Sequence, residues 1–142
     1  RSEEFLIEAF DENERKRIAP VHNQNSDNNL YNTLGGNPTF DHIFALSIEE
    51  TNIYFKNKAD RIASLTTHVF EQTKTITDLK RWIHSLDNNE FAGWWWLRSP
   101  GCTSKFASSI NDSGGVRSGG YSITFSGICV RPALWLTLQK TV

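Results

Sequence analysis

Four alternating oxygen-bearing side chains, Asn23, Asn25, Asp27 and Asn29, have the spacing of a calcium-binding loop. The helix–loop–helix form of that site needs Gly at the sixth position and Glu at the twelfth. Here those positions hold Asn28 and Leu34, so the stretch reads as a solvated loop. The four histidines, His22, His42, His68 and His84, never fall at zinc-ligand spacing, and no Cys lies close to them in sequence. The serines include no Gly-x-Ser-x-Gly elbow that would place a nucleophile beside an orienting base. "GGNPT" and "SGGVRSGG" lack the Lys-Ser/Thr of a phosphate loop and read as turns. Cys102 and Cys129 lie 27 residues apart and are open to two readings, one disulfide or two buried thiols.

Arg98 and Arg131 stand in the two most unusual stretches, "WWWLRSPG" and "VRPALWL", each close to a Pro. As a pair they could hold a ligand. Flanked by Leu97 and Val130, they read better as guanidinium forks tying loop carbonyls together beneath the tryptophans. In a strand, Trp94 and Trp96 point one way and Trp95 the other, so the run needs structure on both sides. The expected core includes Trp94, Trp96, Trp135 and Leu136.

The elements that must position these residues follow from periodicity. Residues 2–10 form a short amphipathic helix, with Phe5/Ala9 and Leu6/Phe10 at i,i+4 spacing. Asp11 with Glu14, and Ser47 with Glu50, are capping boxes opening helices, the second with Ile48 and Phe55 turned inward. Residues 22–38 are a polar loop, and "FDHIFALS" is a short apolar extended segment. Leu79, Trp82, Ile83 and Leu86 predict a third helix from about Thr77, stopped by Asp87-Asn88-Asn89. Beyond Gly93, Tyr121-x-Ile123-x-Phe125 alternates as a strand and "NDSGG" marks a hairpin turn. Residues 94–139 therefore read as short strands with long small-residue loops. The fold class is α+β.

The chain has 142 residues, 12% aromatic, with a net charge of −1, the size of one domain with a real core. Residues 1–93 carry ten Lys and Arg against fifteen Asp and Glu, and the remainder carries five against one. That leaves no basic footprint for nucleic acid. No apolar run reaches the length of a membrane-spanning helix, and no secretory leader is evident. The chain opens on Arg-Ser-Glu-Glu and contains no Met, which reads as a fragment or processed form.

"WWWLRSPG" (94–101) and "VRPALWL" (130–136), with the Gly/Ser/Asn-rich span between them, resemble the signature of a bacterial uncharacterised-domain family of secreted and cell-envelope proteins. "FLIEAFDENERKRI" (5–18), "GGNPTFDHIFALSIEETNIYF" (35–55) and Arg61 extend the resemblance over nearly the whole chain. That family is similar to the formylglycine-generating-enzyme branch of the C-type-lectin fold and to retroelement-diversified variable proteins. The resemblance implies one domain over 1–142 that lacks an N-terminal strand region. It implies an irregular antiparallel sheet with flanking helices and long loops. In it, the Trp run and "VRPALWL" are neighbouring central strands and Arg98 and Arg131 are scaffold.

The calcium–sugar motifs Glu-Pro-Asn and Trp-Asn-Asp are missing, and so is the closely spaced Cys pair of the oxidase branch. The implied function is non-catalytic recognition of a protein or glycan at the cell surface or outside the cell, without cofactor or metal. The binding surface would comprise Ser104, Lys105, Phe106, Ser108, Asp112, Arg117, Tyr121, Ser122, Thr124 and Phe125. Within it, Lys105, Phe106, Arg117, Tyr121, Thr124 and Phe125 would be exposed on one face. Residues 101–128 contain no Glu, Gln, Met or Trp, as expected of diversified Asn codons, although Lys105 is outside that set. The alternatives are an oxidase of the formylglycine-generating type, a degenerate relative of it, or a purely structural envelope module.

Overall fold

The computed structural model describes residues 2–75, 83–86 and 90–138. Two helices open it, α1 (Ser2–Ala9) and α2 (Glu12–Arg15). The turn between them is closed by the Asp11 box: Asp11 Oδ1 accepts from the Asn13 and Glu14 amides at 2.7 and 2.9 Å, and Glu14 returns a carboxylate to the Asp11 amide. Helix α3 (Ile48–Tyr54) starts on the second box, with Ser47 Oγ accepting from the Glu50 amide at 3.1 Å. A shorter helix, α4 (Thr67–Gln72), follows.

The strands form small antiparallel sheets. β1 (Ile18–Ala19) pairs with β10 (Trp135–Leu136), and β2 (Val21–Asn23) with β3 (Thr39–Asp41). β4 (Ala63–Ser64) and β5 (Ile83–Ser85) flank β6 (Phe91–Gly93). The largest ladder is β7 (Trp95–Pro100), β8 (Phe106–Ile110) and β9 (Val116–Ser122), in that order. Its β8–β9 hairpin turns at Asn111–Gly115, where the Asn111 carboxamide accepts from the Gly115 amide and Gly114 takes φ 75°. The architecture is mixed α+β, as the periodicities indicate.

Phe44, Leu46, Trp95, Leu97 and Ile110 form the core, with Ile48, Phe55 and Val116 packed against it. Trp95 is 1% exposed and its indole N–H donates to the Arg61 carbonyl at 3.0 Å. The alternation across the run is as expected, but the dominant core ring is the middle one. Trp94 is buried on the opposite face and Trp96 is half-buried. Trp135 and Leu136 are not core: they are 47% and 50% exposed. Among the described residues their strand pairs only with two-residue β1, and Trp135 rests edge-on against Tyr54 at 5.8 Å. "VRPALWL" therefore does not run beside the Trp strand. Only Cys129, just before it, bridges Trp95 in parallel; Ala133 then pairs with Phe44 and Trp135–Leu136 with β1.

Two further expectations change. The helix from Thr77 fails at its described end: Ile83–Ser85 is a strand because its backbone pairs with Phe91–Gly93, a long-range ladder that overrides the local period. Leu79, Trp82 and Asp87–Asn89 lie outside the described residues. The alternating Tyr121–Phe125 stretch is strand only to Ser122; Phe125 N bonds Ser122 O at 2.9 Å and closes a turn. Cys102 and Cys129 are both free thiols.

The two arginines bind carbonyls as expected of scaffold. Arg98 Nη1 donates to Ala45 O at 3.0 Å, Nη2 to Gln24 O at 3.3 Å, and the fork grips Glu50 at the start of α3. Arg131 Nη1 donates to Arg61 O at 3.3 Å. Burial works to raise the Glu50 carboxyl. The hydrogen bonds from Arg98 and Ser47 and the Arg98 charge outweigh it, and the net direction is below the ordinary 4.5.

Trp95→Ala should cost about 3–5 kcal/mol in denaturant unfolding, and Trp135→Ala no more than about 1 kcal/mol. Equal midpoint shifts for the two would contradict this core. A depressed folded-state pKa at Glu50 contributes stability above its unfolded value and loses it as pH falls through the folded value. Thermal melts of Glu50→Gln should therefore lie below the parent's at pH 7, with the gap closing under acid conditions. A gap constant from pH 7 down to the acid limit would contradict the charged pairing.

Candidate functional site

The site begins with a mismatch of strand lengths. Trp96 pairs with Ser109 and Pro100 with Ala107, so Leu97, Arg98 and Ser99 all lie opposite the single Ser108. On the other side, Ser109 pairs with Arg117 and Ala107 with Tyr121, so Ser118, Gly119 and Gly120 also lie opposite Ser108. Extra residues leave ladder groups unpaired and bend the strands that carry them. At this double bulge the carbonyls of Pro100 and Ser118 face the same two side chains, Ser108 and Asn28. Ser108 Oγ lies 2.9 Å from Pro100 O and 3.0 Å from Ser118 O. The Asn28 carboxamide donates to the same two oxygens at 2.8 and 2.9 Å.

Asn28 is buried and its own backbone is fixed by a tight loop, Asn28 N to Thr33 O at 2.8 Å and Tyr31 N to Asn28 O at 3.1 Å. Asn32 adopts φ 53° within it, a left-handed conformation that Asn tolerates better than most residues. This loop lays Tyr31 over the bulge: a Cβ on Gly119 would meet the Tyr31 hydroxyl at 2.9 Å. Gly120 is at φ 65° and a Cβ there would overlap Ala107 O at 1.9 Å.

Beside the bulge is an open groove of about 530 Å³, lined by Tyr31, Trp94, Val116, Arg117, Ser118, Gly119, Gly120 and Tyr121. The Arg117 guanidinium carbon lies 5.6 Å from the Trp94 ring centroid. Tyr121 meets the same ring edge-on at 5.5 Å, and Phe125 lies against Tyr121 at 5.8 Å. Arg117 is exposed, while Tyr121 and Phe125 are half-buried.

The structure places the expected surface residues in several settings. Ser104 and Lys105 are exposed in the β7–β8 turn, and Lys105 O accepts from Ile123 N at 3.0 Å. This brings them to the same end of the sheet as Phe106, Ser122, Thr124 and Phe125; Ser122 and Thr124 share a hydroxyl contact at 2.8 Å. Of the six residues expected exposed on one face, Lys105, Arg117 and Thr124 are exposed, while Phe106, Tyr121 and Phe125 are half-buried. Ser108 is a correction: it is wholly buried, because its hydroxyl fills the bulge. Asp112 sits in the hairpin turn at the opposite end of the strands. Within 101–128, β8 is the middle strand of the sheet, and Ser108, Ser109 and Ile110 are buried.

Sequence reasoning missed Tyr31, Ser118 and the Gly119–Gly120 pair, and took Trp94 as core only. The repeated Gly pairs of "SGGVRSGG" were the available signal, read as turns. Among the described residues no group of three or more His, Cys, Asp or Glu gathers as a metal site. Asn23 of the calcium-like loop is buried and donates to Asp41 at 2.9 Å. Hydrogen bonds from Thr39 and Asn23 hold the Asp41 carboxyl below its ordinary value. Burial pushes the Cys129 thiol up. No helix among the described residues is long and apolar enough to cross a membrane.

One family, described as Domain of unknown function (DUF6273), matches residues 2–138. No curated protein and no solved structure matches the chain.

Gly120→Ala should cost about 1–3 kcal/mol from its backbone conformation, with the overlap on Ala107 O adding to it. A variant as stable as the parent would contradict the bulge geometry.

Proposed function

The chain belongs to the DUF6273 family, and from that premise we propose that it is a non-catalytic recognition domain, binding a protein or glycan in the groove beside β9. The observation that carries this reading is the convergence of Arg117 and Tyr121 on Trp94 in an open concavity that Tyr31, Gly119 and Gly120 also line. Aromatic residues and Arg are the types that concentrate binding energy at interfaces. Tyr and Trp offer large contact area at low entropy cost. The glycines let a ligand approach the backbone closely. Lys105 and Thr124 extend the surface at its far end, while Ser108 and Asp112 fall outside it.

The C-type-lectin-like fold and display outside the cell accompany this proposal on the strength of the motif resemblance. Diversification, on this reading, is confined to exposed positions of 101–128, since buried Ser108, Ser109 and Ile110 are needed by the sheet. The oxidase alternative asks for an activated thiol, and a reactive Cys has a lowered pKa. Cys129 is shifted the other way by burial.

Glycan and protein arrays probed with the purified domain test the proposal. Ligands that bind should lose about tenfold or more in affinity with Arg117→Ala and with Tyr121→Ala, while circular dichroism melts show both variants folded. Arrays without a hit, or hits unaffected by both substitutions, would contradict it.

A further inference from the structure

The two signature arginines differ in one respect. Arg98 is ion-paired with Glu50. Arg131 is half-buried and, among the described residues, has no carboxylate at ion-pair distance. Its guanidinium carbon lies 5.0 Å from the Trp95 ring centroid and 5.1 Å from that of Phe55. Among the described residues, these rings and one hydrogen bond to Arg61 O are its partners. Burial lowers its pKa, a direct consequence of the water it has lost. A partly desolvated cation ordinarily has a counter-charge.

Arg131 lines a cavity of about 310 Å³, on the Trp95 side of the sheet and apart from the groove. Leu65, Val69, Gly93, Trp95 and Cys129 give it an apolar wall. At its rim the Ser64 hydroxyl donates to Glu90 at 2.8 Å, and Thr66 Oγ1 accepts from the Val69 amide at 3.3 Å. Small-molecule sites combine an apolar lining with few polar groups, in volumes of about 300–1,000 Å³.

We propose that this cavity binds a compact carboxylic acid with an aromatic or short aliphatic body, its carboxylate meeting Arg131. One guanidinium fork matches one planar carboxylate in charge and geometry. A phosphate, carrying more charge, would call for more donors than this wall offers. The site is independent of the groove and stands or falls separately from it.

The test is NMR titration of the ¹⁵N-labelled domain with phenylacetate and hexanoate, against phenylacetamide and hexan-1-ol as neutral counterparts. At least one acid should shift the amides of Leu65, Gly93 and Cys129 and bind about tenfold or more tightly than its counterpart. Arg131→Met should remove that preference. Gly93→Ala, whose Cβ would stand 2.4 Å from Leu65 Cδ2 and displace that wall, should weaken both acid and neutral probe. No shifts at millimolar acid, equal binding of acid and neutral probe, shifts centred on Tyr31 and Arg117 instead, or undiminished binding by Arg131→Met would each overturn the proposal. Should Arg131→Met fail to fold, the acid-to-neutral ratio on the parent and the Gly93→Ala titration still decide.

Discussion

Two carbonyl oxygens, of Pro100 and Ser118, meet the same pair of side chains, and that meeting holds the candidate site together. Where β7 and β9 both run past Ser108, the ladder cannot satisfy every backbone group. A buried polar group left unpaired costs about 1–3 kcal/mol. The Ser108 hydroxyl and the Asn28 carboxamide remove that penalty at one point. Asn28 comes from 72 and 90 residues away in sequence, so the clamp also docks the polar loop between β2 and β3 onto the sheet. Tyr31 reaches Gly119 because of it, and the groove acquires its third aromatic wall.

The tryptophan run serves both faces of the same strand. Trp95 closes the core beneath, bonded to Arg61 O and covered by Arg131. Trp94 supports the opposite layer, where Arg117 and Tyr121 lean on it. The outer edge of β7 is occupied as well: Cys129 accepts from Trp96 N at 3.0 Å and donates to Trp94 O at 2.8 Å, and the Leu46 carbonyl accepts from Arg98 N at 3.0 Å. A strand so enclosed is bonded along both edges, which suits one that positions a cation and two rings. Arg98 extends this order outward by locking the start of α3, through Glu50, to the Ala45 carbonyl.

What was legible in the sequence was what depends on neighbours a few residues apart. Asp11–Glu14 and Ser47–Glu50 form both capping boxes because a cap needs only three residues of spacing. "NDSGG" makes its hairpin for the same reason. The strand alternation of Trp94–Trp96 was also plain, but not which face is core, since that depends on Phe44, Leu46 and Ile110 arriving from elsewhere. Trp135 and Leu136 were misjudged because hydrophobicity says nothing of a two-residue partner strand. Ile83 carried a helical period and took a strand once Gly93 offered a ladder. Asn28 was unreadable: in a run of Asn, nothing local marks the one that is buried. Ser108 was likewise assigned to a surface because small polar residues suit loops, when here a hydroxyl was needed inside a bulge.

The clamp is tested most directly by NOE contacts between the Tyr31 ring and Gly119, measured in the parent and in Asn28→Ala. These contacts should be present in the parent and lost in the variant, while Trp95–Ile110 contacts persist in both. Tyr31–Gly119 contacts that survive unchanged in Asn28→Ala would contradict it.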